Sequence, residues 1–76
     1  MSDLDVLREW FKEEIHDAEK YAEMAARAHH GGDVILRDIA KEELGHAKHL
    51  CRILKKHGIE MDFEKEARAA KAAIWK

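Results

Sequence analysis

Proline is absent from the 76 residues, which removes the strongest breaker of a long helix. The single cysteine, Cys51, excludes an intramolecular disulfide and suits a reducing compartment. Aromatic residues make up only 7% of the chain. No long apolar run and no secretory signal is present, so the expectation is a soluble cytoplasmic protein with no membrane segment. Charge of one sign is lacking too: 14 Lys and Arg stand interspersed with 16 Asp and Glu, a formal net charge of −2. That balance leaves no basic face for nucleic acid and no basic amphipathic helix for a lipid surface.

What remains is rich in Ala, Leu, Glu, Lys and Arg, the composition of an all-α protein. The length predicts one domain, 1–76, near the size at which a single core barely suffices. Ser2 followed by Asp5 resembles a capping box and predicts a helix over about 3–29, stopped by Gly31-Gly32. Asp33 is the expected N-cap of a second helix over about 33–57, with Gly58 at its C-terminal end. Lys55, Lys56 and His57 in its last turn complement the helix dipole. Asp62 then caps a shorter helix over about 62–75, with Phe63, Ala67, Ala70 and Ile74 as its apolar face.

Two stripes with alternating steps of three and four run along the long helices. The first is Leu4, Leu7, Phe11, Glu14, Ala18, Tyr21, Ala25, Ala28; the second is Leu36, Ile39, Glu43, His46, Leu50, Ile53, His57. Both read as core seams, and on them Glu14, Glu43 and His46 are out of place, because an unpartnered carboxylate away from water is heavily penalised. A metal ion is the simplest compensation. Glu43 and His46 are three residues apart and so project from one helix face. Glu14 stands 17 residues before Gly31, and Glu43 and His46 stand 12 and 15 after it. In an antiparallel hairpin the three therefore meet at one level, within about one turn.

The second helix carries an adjacent apolar stripe, Ala40, Leu44, Ala47, Cys51, Leu54, which makes its apolar face wider than one neighbour covers. Cys51 accordingly reads as a core residue. A second hairpin would complete a four-helix bundle, so a homodimer is the expected minimum unit. Two copies would bring together four Glu and two His, and four carboxylates balance two divalent ions. One Glu from each of two helices and Glu-x-x-His from each of the other two is a di-iron or di-manganese carboxylate pattern. Oxygen-rich ligands with one imidazole per metal suit Fe(II), with Mn(II) as the other choice.

Residues 13–54, EEIHDAEKYAEMAARAHHGGDVILRDIAKEELGHAKHLCRIL, resemble the metal-binding helix pair of the rubrerythrin-like branch of the ferritin-like superfamily. The closest resemblance is to encapsulated-ferritin-type proteins, whose short chains dimerise around one di-iron ferroxidase site. The resemblance implies Glu14 as the ligand of the first helix, Glu43 as a bridging carboxylate and His46 as a terminal imidazole. Tyr21, seven residues after Glu14, resembles a tyrosine that those proteins hold near the metals. It further implies two Fe ions per dimer, with Fe(II) and dioxygen or peroxide as substrates. Two departures are plain: residues 73–76 show no shell-targeting tail, and the third helix matches no motif of the family. A rubrerythrin's four-cysteine iron centre is excluded by the lone Cys51, which favours iron oxidation over a self-sufficient peroxidase.

Other readings stay open. Glu14, Glu43 and His46 also fit a polar layer that sets bundle register, in a non-catalytic metal-binding or protein-interaction module. Tyr21 also fits a seam aromatic whose hydroxyl finds a partner. His16, His29, His30, His49 and His57 read as surface or helix-end residues. Glu13, Asp17 and Glu42 flank the three and fit either a solvated rim or an acidic entry path for cations. Gly45, between Glu43 and His46, fits either a close backbone approach or room beside the metals.

Overall fold

In the computed structural model the described residues are 2–28 and 31–75. Four helices follow one another: α1 (Asp3–Arg27), α2 (Gly32–Lys56), α3 (Phe63–Glu66) and α4 (Arg68–Ile74). The chain is an all-α antiparallel hairpin of α1 and α2 with two short helices laid against it.

The ends form largely where local chemistry puts them. Ser2 accepts a hydrogen bond from the Asp5 N–H at 3.2 Å, and the Asp5 carboxylate accepts from the Ser2 N–H at 3.3 Å, completing the capping box. At the C-terminus of α2, Gly58 adopts φ 79°. Its N–H reaches Lys55 O and the Ile59 N–H reaches Leu54 O, both at 3.0 Å, the paired bonds of a Schellman ending. Asp62 caps α3 by accepting from the Lys65 N–H at 3.1 Å.

Two boundaries differ from expectation. Asp33 is not the N-cap of α2: Gly31 takes that place at φ 85°, and Asp33 lies inside the first turn. There its carboxylate accepts from Arg37 Nη1 at 2.7 Å, which holds its pKa below the ordinary value. The helix expected over 62–75 is two helices, divided at Ala67, whose ψ of −1° interrupts the α ladder. Its predicted apolar face nonetheless packs as expected, with Ala67, Ala70 and Ile74 buried and Phe63 against the core. α1 ends at Arg27, within two residues of the expected 29, with Ala28 extended at ψ 148° as its C-cap; His29 and His30 lie outside the described residues.

The core itself requires a correction. Along α1 the buried residues are Phe11, Ile15, Ala18, Ala22 and Ala25, so Ile15 and Ala22 occupy the inward places assigned to Glu14 and Tyr21. Along α2 the buried stripe is Ala40, Leu44, Ala47, Cys51 and Leu54, not the stripe that carries Glu43 and His46. Phe11, Ala18 and Ala25 belong to both candidate stripes of α1, so a three-four spacing fits either neighbour equally well. The third layer decides. α3 and α4 pack on the side that includes Cys51 and Leu54, where the Cys51 thiol donates to Met61 O at 3.7 Å. The other side of the hairpin is left open.

Two glycines should respond in opposite directions. Gly31→Ala forces a side chain into the left-handed region and is expected to cost about 1 kcal/mol. Gly45 is helical, and an added Cβ meets nothing within 4 Å in the single chain, so Gly45→Ala is expected to stabilise the chain by about 0.5–1 kcal/mol. Urea melts of the two variants at a concentration where the chain is monomeric check both signs.

Candidate metal centre

The close seam between α1 and α2 positions the group. Ala18, Ala22, Ala40 and Ala47 all lie in it, fully or almost fully buried, and small side chains let helix axes approach. Along the open edge of that seam Glu14 comes from α1, and Glu43 and His46 from consecutive turns of α2. His46 Nδ1 lies 3.3 Å from Glu14 Oε2 and 3.8 Å from Glu43 Oε1. One ligand atom from each residue falls within 4.8 Å of the other two, the one such group among the described residues. The antiparallel register predicted from the turn at Gly31-Gly32 thus brings the three to one level.

The group is less enclosed than its seam position implied. The side chains of Glu14 and Glu43 are 25% and 19% exposed, and that of His46 is 60% exposed. Even so, partial burial and the neighbouring Glu14 carboxylate push the Glu43 pKa up to about 7, the first through lost hydration and the second through repulsion and a shared hydrogen bond. Asp17, one turn after Glu14, adds repulsion, and His46 opposes it. Two carboxylates held this close with little positive charge between them form a site that a cation relieves. Two oxygens and one imidazole nitrogen are a donor set for a divalent transition ion.

The remaining candidates fall outside this group. Tyr21 sits two turns along α1 on the same side, 37% exposed, and its hydroxyl makes no hydrogen bond among the described residues. Glu13, Glu42, His16, His49 and His57 are exposed, and Asp17 is half-buried. A cleft of about 710 Å³ between Lys48, Arg52 and Lys55 of α2 and the acidic residues Glu60 and Glu66 shares no residue with the group.

What the sequence reading missed is the extent of the apolar surface around the group. Trp10, Tyr21 and Met24 fall on the stripe of Glu14, with Asp17 between them; Ile35 and Ile53 fall on that of His46. These five are exposed, and among the described residues the other exposed large apolar side chains are Val34 and Trp75 alone. The spacing Trp10, Glu14, Asp17, Tyr21, Met24 was the available signal.

The fold and site together define an all-α helical hairpin that bears a carboxylate–imidazole group able to hold a metal ion on its open face. Comparison with protein-family models, curated proteins and solved structures returns no match.

With no metal bound, stability should fall as pH rises from about 4.5 to about 7. Glu43 is neutral in both folded and unfolded chains below that window. Within it, only the unfolded chain ionises freely, which favours unfolding. Thermal melts in chelator at pH 5 and pH 8 are expected to show this loss, and Glu43→Gln should abolish most of the difference. For a domain of this size each kcal/mol corresponds to about 4–8 °C.

Proposed function

We propose that this chain is half of a di-iron carboxylate protein of the ferritin-like kind, similar to encapsulated-ferritin-type proteins, and that its dimer oxidises Fe(II) with dioxygen or peroxide. The observation that carries the reading is the convergence of Glu14, Glu43 and His46 within 4.8 Å on the open face of the hairpin. A single copy offers three ligands, and a twofold-related copy offers three more. The oxygen-rich donor set fits iron, and manganese is the nearest alternative. Bound Fe(II) supplies the electrons that reduce the oxidant.

The protein's own part is to hold and to neutralise. Glu14 and Glu43 lose their mutual repulsion when a divalent cation lies between them, and four carboxylates in the dimer match the charge of two such ions. Glu43, the more enclosed carboxylate and the one with the raised pKa, releases a proton as the cation arrives. His46 sets the ring nitrogen Nδ1 toward both carboxylates. Tyr21, on the same stripe as Glu14, would be brought toward the metals by the second copy.

The exposed surface supports a second copy. The exposed area of 5411 Å² exceeds by about 600 Å² the ~4,800 Å² typical of a compact monomer of this mass. That excess approaches the ~800 Å² each partner gives to a standard interface. Trp10, Tyr21, Met24, Ile35 and Ile53, all exposed, line the side of the hairpin that α3 and α4 leave uncovered. The apolar face would need a cover with or without metal, which is the observation that favours the second reading, a non-catalytic interaction module.

Anaerobic Fe(II) titration followed by native mass spectrometry is expected to give two irons per dimer, with an absorbance change on admitting oxygen. Glu43→Leu should abolish iron uptake and the absorbance change. A dimer that takes up no metal, and that Glu43→Leu only stabilises, would leave the interaction module in its place. Sedimentation of Ile53→Lys should show a monomer, because an unpaired charge would otherwise be buried in the interface.

A further inference from the structure

The imidazole of His46 is engaged on one side only. Its Nδ1 lies 3.3 Å from Glu14 and 3.8 Å from Glu43, which directs Nε2, across the ring, away from both carboxylates. The side chain is 60% exposed, and Nε2 has no hydrogen-bond partner among the described residues.

His49 stands three residues further along α2, a spacing that makes two side chains neighbours on the helix surface. It lies two residues from buried Ala47 on one side and two from buried Cys51 on the other, so it projects opposite to the core. It is exposed, and no hydrogen bond or ion pair among the described residues engages it. Its ring can therefore turn toward His46. Glu42, one turn before His46 and likewise exposed, adds negative charge beside the pair.

We propose that Nε2 of His46 and the imidazole of His49 form an outer cation site for an imidazole-preferring divalent transition ion of the Ni(II) or Zn(II) class. Imidazole ligands favour Zn, Cu, Fe and Ni, whereas Mg, Ca and Mn prefer oxygen. Two ligands on one rigid helix bind as a chelate, because the second joins an ion already held nearby. His46 is shared, one ring nitrogen to each site, so an ion outside competes for the orientation that the inner group needs. The inference rests on the Glu14–Glu43–His46 geometry and is independent of the iron chemistry proposed above.

The test is a Ni(II) titration at pH 7.5 by calorimetry and native mass spectrometry, on the native chain, His49→Ala, His49→Gln and Glu14→Gln/Glu43→Gln. The expected result is one more Ni(II) per native chain than per His49 variant, or an outer-site affinity lowered about tenfold or more in both. The Glu14→Gln/Glu43→Gln chain should keep the outer site, and millimolar Mg(II) should not displace Ni(II) from it. Equal stoichiometry and affinity in the native chain and both His49 variants would overturn the proposal. Failure of the iron reading shows separately, as unchanged Fe(II) uptake in Glu14→Gln/Glu43→Gln.

Discussion

The close approach of α1 and α2 along a seam of alanines governs the rest of this molecule. Ala18, Ala22 and Ala25 on one helix and Ala40 and Ala47 on the other leave almost no side-chain thickness between the backbones. Phe11, Ile15, Leu44 and Leu54 add the bulk of the apolar burial toward the open ends of the hairpin. Because the axes are near, groups at the margin of the seam cannot avoid one another. Glu14 therefore comes within reach of His46 and Glu43, and two carboxylates share one small region. Wider side chains in the seam would separate them.

That proximity has an electrostatic consequence. Glu43 keeps its proton to about pH 7 because lost hydration and the Glu14 charge both disfavour its ionised form. Folding brings the carboxylates together for packing reasons, so the repulsion is a cost the seam imposes. Below about pH 7 the proton on Glu43 relieves it, and a bound cation would do the same at higher pH, which links packing to the metal chemistry proposed. The same face carries Trp10, Tyr21, Met24, Ile35 and Ile53, exposed apolar side chains along the stripes of Glu14 and His46.

Much of the architecture was legible beforehand. Ser2 and Asp5, Gly58 and Asp62 mark helix ends through chemistry confined to a few residues, and all of them act in the structure as read. The level at which Glu14 meets His46 followed from counting residues on either side of the turn. The inward stripe was not legible, because α1 offers two interleaved stripes that share Phe11, Ala18 and Ala25. Ile15 and Ala22 face in while Glu14 and Tyr21 stand at the edge, a choice set by where α4 packs. The position of Asp33 also escaped, since Gly31 at positive φ starts α2 before the side-chain cap could be used.

By itself the sequence determined the helical class, the antiparallel pairing and the identity of the three candidate ligands, because period, capping and turn signals act over a few residues. Only the tertiary structure decided which face of each helix is covered, how exposed the three ligands are and that Glu43 holds its proton. Those properties depend on how closely α1 and α2 approach and on which side α3 and α4 lie, and such distances arise from packing between segments far apart in the chain.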